Sequence, residues 1–339
     1  MKSLKSVLKD SVIMGQKGFT LLELLVVVAI LAAIAGTAAI ALQDTDARAS
    51  AAAHVAMMDE LNKGVATYRV LHKNVYPDNF DSLAYVNDAS TDTAVNGVLL
   101  PQEDDASAGA NGDILGFSVD DIALGTLIAG AEDSLADIGI TKLRYVNAAF
   151  DNTDLPELTP TENCDPAGGA LQKVISSRRN NIVAGNIFNG PAANGCGASL
   201  DIVAGAQVAY WVGSLERVLG PGEYGDAAFS GTAMASNSSV PAGVTAPILM
   251  AVGFGPASDL FKPEILGSMT SVPVYRHVRE DQYNRFIGLF RVGEATTTGS
   301  DVWAAPTTTE QVLFVGVVDG AGDTKEEELG EWDGTRSTI

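Results

Sequence analysis

The sequence predicts an α+β chain: one long N-terminal α-helix, half membrane-spanning and half amphipathic, packed on an antiparallel β-sheet in a large, loop-rich globular head. Three observations predict it. No charged residue occurs from Leu24 to Leu42, a run long enough to cross the hydrocarbon core of a bilayer as a helix. Ala51, Val55, Met58, Leu61, Val65, Tyr68 and Leu71 then recur at spacings of three or four, the period of a helix with one packing face. Beyond Pro77, short apolar runs alternate with Gly, Ser, Thr, Asn and Asp, the pattern of strands and turns.

The apolar run comes first in the chain and decides where the rest goes. Phe19 to Leu42 contains a single charged residue, Glu23, and Lys2, Lys5, Lys9 and Lys17 precede it against only Asp10. Lysines on the N-terminal side keep that end cytoplasmic and send everything after Leu42 across the membrane. A cleavable secretory signal is the competing reading, since Ala33-Ile34-Ala35 before Gly36 offers a small-residue cleavage site. Against it stand the length of the run, its continuation into a second helical stretch, and Glu23. A carboxylate inside a membrane segment is costly and therefore points to a function.

The stretch Lys17-Gly18-Phe19-Thr20-Leu21-Leu22-Glu23-Leu24-Leu25 resembles the prepilin processing motif of type IV pilins and type II secretion pseudopilins. The resemblance implies cleavage after Gly18 by a membrane prepilin peptidase and N-methylation of the new terminus at Phe19. Glu23 becomes the fifth residue of the mature chain, where it would pair with the Phe19 amine of a neighbouring subunit in a helical homo-oligomer. Glycine before the scissile bond suits an active site that must approach the backbone closely. On this reading residues 1–18 are a leader, 19–76 the long helix with 19–42 as membrane anchor and filament core, and 77–339 an exported β-rich head. The implied partners are the peptidase, the inner membrane, further copies of the chain, and a pilus or secretion assembly machine. The implied location is first a single-pass inner membrane protein with a cytoplasmic N-terminus, then an extracellular or periplasmic filament. The resemblance covers about a fifth of the chain, and the head is larger than the family's usual compact domain. A minor pilin or pseudopilin, or a membrane-anchored adhesive or ligand-binding domain, is the alternative.

The helix continues from the anchor to about His72, because Ala47 to Ala53 is alanine-rich and no proline occurs before Pro77. As one helix, Phe19 to His72 would be about 80 Å long at about 1.5 Å per residue. Gly36 and Gly64 are its weak points, each costing about 1 kcal/mol relative to alanine; a hinge or close packing would explain Gly36. Asn74-Val75-Tyr76-Pro77-Asp78 ends the helix, since proline disfavours helical geometry before itself. Tyr76-Pro77 with Ser82-Leu83 also resembles the segment after the long helix of major pseudopilins. Strands are expected at Lys142–Val146, Val208–Val212, Ile248–Phe254, Val272–Val278, Arg285–Val292 and Val312–Val318, and short helices at Asp133–Ile138 and Leu215–Leu219. The best hairpin is Val272 to Val292, turning near Glu280-Asp281. Gln102 to Asn111 and Asn189 to Gly197 read as surface loops.

Charge and composition exclude several functions. The net charge is −21, from 21 Lys and Arg against 42 Asp and Glu, so free nucleic acid, whose binding requires phosphate neutralisation, is not an expected partner. Three histidines, His54, His72 and His277, leave little material for histidine catalysis or haem ligation. No nucleophile elbow, phosphate loop, zincin motif or complete dinucleotide fingerprint occurs, so no enzyme is expected. Gly253-Phe254-Gly255 lacks the third glycine of the last of these.

Five smaller features remain. Cys164 and Cys196, exported to an oxidising compartment, are expected to form a disulfide, with a stabilisation of about 3–4 kcal/mol less any strain. Asp319 and Asp323, on the acidic loop Asp319-Gly320-Ala321-Gly322-Asp323-Thr324 before Glu326, Glu327 and Glu328, are a candidate Ca²⁺ site because a hard ion takes several oxygens. A solvated acidic loop is the competing reading, and no other cofactor is expected. Arg276, Arg279, Arg285 and Arg291 gather near the expected hairpin, with Arg178-Arg179 elsewhere, and are expected to pair with carboxylates. Asn237-Ser238-Ser239 is a glycosylation acceptor pattern, Thr296–Thr298 and Thr307–Thr309 could carry O-glycans, and Tyr210-Trp211 is expected in the core.

Overall fold

The computed structural model describes residues 20–86, 94–100, 102–103, 115–118, 120–147, 197–222, 224–275, 277–278 and 283–333. The chain divides into two compact units, Met1–Ser50 and Ala51–Ile339. Helix α1 (Leu21–Leu71) contributes to both. It is followed by β1 (Phe80–Val86), β2 (Gly97–Leu99), β3 (Gln102–Glu103), β4 (Leu115–Ser118), β5 (Ile122–Thr126), α2 (Ala131–Asp137), β6 (Lys142–Asn147) and β7 (Gly197–Asp201). Then come β8 (Gln207–Trp211), α3 (Leu215–Leu219), β9 (Ala228–Phe229), β10 (Met234–Ala235), β11 (Thr245–Gly253), β12 (Ile287–Gly299), β13 (Val302–Trp303), β14 (Thr307–Val318) and α4 (Lys325–Asp333). The architecture is α+β, as the patterning predicts.

In the first unit every side chain from Leu21 to Ala38 is exposed, and this stretch is long and apolar enough to cross a membrane. A helix that is apolar all round gains nothing from water and needs lipid or other helices. Among the described residues Gly36 has no neighbour within 4 Å of where a Cβ would stand, so packing against them does not account for it.

In the second unit α1 becomes one-sided. Ala51, Met58, Leu61, Val65 and Tyr68 are buried as the spacing predicts, but Val55 is only half-buried, Leu71 is exposed, and His54 is buried instead. At about 100° per residue His54 falls in the middle of the stripe, Val55 at its edge and Leu71 beyond it. Gly64 lies where an added Cβ would collide with the Met269 side chain, and its carbonyl accepts a 2.6 Å hydrogen bond from Ser268 Oγ. Close approach of the Met269 loop therefore explains this glycine. The helix ends at Leu71 because Lys73 and Asn74 take positive φ, 55° and 78°. Arg69 then donates to Asn74 Oδ1 at 2.6 Å and lies over the Tyr76 ring.

Among the described residues ten strands form the main sheet along the path β13-β12-β11-β1-β6-β7, with β14 on β12, β2 on β1, and β8 bridging β11 and β5. The sheet is mixed: β1 pairs parallel with β6, and the other pairs in this sheet are antiparallel. A parallel pair needs a long crossover, here the chain from β2 to α2. β11 is buried continuously from Ile248 to Gly253, as a strand covered on both faces must be. Met250, Phe290 and Phe314 stand side by side across β11, β12 and β14. Phe290 also meets Tyr76 at 5.4 Å and Phe80 at 5.6 Å between ring centroids, contacts worth about 0.5–1.5 kcal/mol each beyond area burial.

The expected strands at Lys142, Val208, Ile248, Arg285 and Val312 form, with their ends displaced by a few residues, as do both short helices. The expected hairpin does not. Val272 to Tyr275 is irregular, and among the described backbone groups the Tyr275 N–H reaches across, to the Asn284 carbonyl at 2.9 Å. Pro273 supplies no N–H for a ladder, and β12 instead pairs with β11 and β14. Glu280-Asp281, Arg276 and Arg279 lie outside the described residues. The strands at Phe80, Gly97, Gln102, Leu115, Ile122, Gly197, Ala228, Met234 and Val302, and α4 in the acidic tail, do not show in the periodicity; Gln102, expected in a surface loop, is buried and donates to the Ile122 carbonyl at 2.7 Å. Tyr210 and Trp211 are fully buried.

Candidate functional site

The candidate site is the start of α1. Thr20 stands just before the helix, and its backbone N–H and hydroxyl both donate to Glu23 Oε2, at 2.9 and 3.0 Å. The Glu23 N–H donates back to Thr20 Oγ1 at 3.2 Å. This is a reciprocal capping box, T-x-x-E, which satisfies two N–H groups that a helix terminus leaves open. Glu23 thus has a local partner in the single chain, and its charge sits at the positive end of the helix dipole. Thr20 joins Glu23 in the site, and its signal in the sequence is Thr followed three residues later by Glu before an apolar run. Gly18 and Phe19 lie outside the described residues, as do Cys164, Cys196 and Arg178-Arg179.

The acidic C-terminal segment is organised as a turn and a helix. Asp319 is fully buried; its Oδ1 accepts from the N–H groups of Ala321 at 2.8 Å and Asp323 at 2.9 Å, and its own N–H donates to the Asp323 carbonyl. Burial, with the contact to the Glu328 carboxyl, holds the Asp319 carboxyl well above the usual carboxylate range, while the two backbone bonds act in the opposite direction. Asp323 is half-buried, with a carboxylate oxygen 3.9 Å from Arg217 Nη2. The two residues of the candidate Ca²⁺ site are therefore adjacent through backbone bonds, and Asp319 Oδ1 is occupied by them.

Arg217 on α3 organises this region. It forms ion pairs with Asp121 and with Glu327, the latter at 3.1 Å, donates to the Gly322 carbonyl at 3.1 Å, and lies over the Trp211 ring. Burial raises the Glu327 carboxyl, but hydrogen bonds from Arg217 and Thr324 outweigh it and hold it below its ordinary value. Thr324 and Glu327 repeat the capping box at the start of α4, with Thr324 N–H to Glu327 Oε2 at 2.9 Å. Arg291 pairs with Glu294, and Arg285 donates weakly to the Pro273 carbonyl at 3.4 Å. Asn237 is exposed, on a turn held by the Asp226 carboxylate.

No curated protein and no solved structure matches the chain. Residues 13–39 match the pattern described as the prokaryotic N-terminal methylation motif, which spans Gly18, Phe19, the capping box and the fully exposed apolar helix. The chain thus carries, at its N-terminus, the methylation motif typical of type IV pilins and pseudopilins.

Proposed function

We propose that the chain is a filament subunit, held in the membrane by α1 until a prepilin peptidase cuts after Gly18, and then assembled through helices that begin at Phe19. The methylation motif carries this reading. The exposed apolar surface from Leu21 to Ala38 supports it, since such a helix passes from lipid to a bundle of like helices without ever meeting water. The role is structural, and the globular head is the part presented outside the membrane.

Glu23 is the assembly residue in this account. In the precursor it caps Thr20; in the filament it meets the new α-amino group at Phe19 of an adjacent subunit. The pair sets register more than it adds stability, because desolvation cancels much of the attraction. Two substitutions separate the local role from the intersubunit one. Glu23→Gln keeps the capping box, which accepts Gln, and removes only the charge; Glu23→Ala removes both. The expected result is that both variants are exported and cut to a mature chain beginning with methylated Phe19, and that neither gives normal yields of sheared filaments. Wild-type filament yield from Glu23→Gln would reduce Glu23 to a helix cap. A mature chain starting at Gly36 would replace the whole reading by a cleaved signal.

A further inference from the structure

Three residues far apart in sequence converge on one face of the head: His54 on α1, His277 in the segment after Tyr275, and Glu328 on α4. His54 and Glu328 are each 1 % exposed, and His54 Nδ1 lies 3.1 Å from Glu328 Oε1. The His277 ring meets the His54 ring edge-on, at 4.4 Å and 79°, and His277 is exposed. One ligand atom from each of the three lies within 4.8 Å of the others. Tyr275 and Phe286 wall the His54 ring, at 4.6 and 6.4 Å between centroids, and the buried Asp319 carboxyl backs Glu328.

We infer that His54, His277 and Glu328 form a binding site for a divalent transition-metal ion of the Zn²⁺ class, entered past the exposed edge of His277. Two ligands at about 2.0–2.1 Å from a tetrahedral ion stand about 3.3 Å apart. The His54–Glu328 spacing is already close to that, and the widest separation has to close by at most about 1.5 Å, a movement open to a solvent-facing ring. Two imidazoles and one carboxylate leave a fourth position for water. That donor set suits Zn²⁺ and its neighbours, whereas Ca²⁺ takes oxygen ligands. Asp319, in contact with Glu328, occupies the place of an outer partner that orients a ligating carboxylate. A buried histidine–glutamate hydrogen bond alone would account for two of these residues. It gives no reason for the second imidazole at the same point. The ion would tie α1, the His277 segment and α4 together, and this holds whether or not the chain forms filaments.

The test uses the tag-free full-length chain in detergent, stripped with a chelator and titrated with Zn²⁺ or Ca²⁺, reading bound metal per chain and melting temperature. Wild type should retain one Zn²⁺ through gel filtration and melt higher with it, while equal Ca²⁺ gives neither effect. His277→Ala, and Glu328→Gln, which keeps a hydrogen-bonding side chain beside His54, should each weaken Zn²⁺ by more than about tenfold. His72→Ala should bind as wild type, because His72 stacks on Tyr68 at the end of α1. Co²⁺ in place of Zn²⁺ should give visible tetrahedral absorption that His277→Ala lacks. No retained Zn²⁺, unchanged affinity in both site variants, or a preference for Ca²⁺ would overturn the inference.

Discussion

Asp81 offers a quantitative test of the packing of the head. It lies on β1, fully buried, with its Cα opposite Gly253 of β11. Its Oδ2 accepts a 2.8 Å hydrogen bond from the Tyr283 hydroxyl, and its Oδ1 takes none among the described residues. An added Cβ on Gly255 would meet this carboxylate, so the chain leaves just enough room for it. Burial pushes the Asp81 carboxyl up to about 7 from 3.8, against the Tyr283 bond and the Arg144 and Arg285 charges, which lower it. The folded state therefore holds the proton more tightly than the unfolded chain. The associated stability is fully present below about pH 4 and is lost as the pH rises through about 7. Its total is on the order of 4 kcal/mol, of which about 3 kcal/mol remains at pH 5 and almost none at pH 8. Asp81→Asn keeps an acceptor for Tyr283 and cannot ionise. In denaturant titrations of the detergent-solubilised chain, followed by tryptophan fluorescence, the variant should gain on wild type by about 3 kcal/mol between pH 5 and pH 8. A wild-type minus variant difference that stays flat over that range would refute the reasoning.

Other substitutions probe the remaining packing. Phe290→Ala, which empties a fully buried position touching Tyr76, Phe80 and Phe314, should cost about 3–5 kcal/mol in the same titrations; a loss below about 1 kcal/mol would mean that the three strands do not share one core. The two helix glycines should respond differently. Gly64→Ala drives a methyl into Met269 and should destabilise the head by about 1–3 kcal/mol, less the roughly 1 kcal/mol of helix propensity gained. Gly36→Ala meets nothing among the described residues and should leave unfolding of the head unchanged while raising helicity in detergent by circular dichroism. Equal responses at the two positions would show that propensity, not the Met269 contact, governs Gly64.

The sequence by itself determined the long helix, its division into an all-apolar half and a one-sided half, the processing motif with Glu23, and the places of five strands, β6, β8, β11, β12 and β14, of the fourteen among the described residues. All of these follow from periodicity and composition read within a few tens of residues. Even the capping box at Thr20 and the place of His54 in the middle of the buried stripe were written locally, by a three-residue spacing and by the helical angle. Only the tertiary structure decided which strands are neighbours. β1 lies parallel to β6 and against β11 because partners separated by dozens or hundreds of residues are chosen by mutual burial, which no local pattern records. The same holds for the acidic tail. Its carboxylates read as a solvated or calcium-binding loop, yet Arg217, more than a hundred residues earlier, draws Glu327 into a helix cap. Asp319, Glu328, His54 and His277 meet for the same reason. His54 and His277 each lie far in sequence from the acidic segment that carries Asp319 and Glu328, and only the tertiary fold brings the four side chains together.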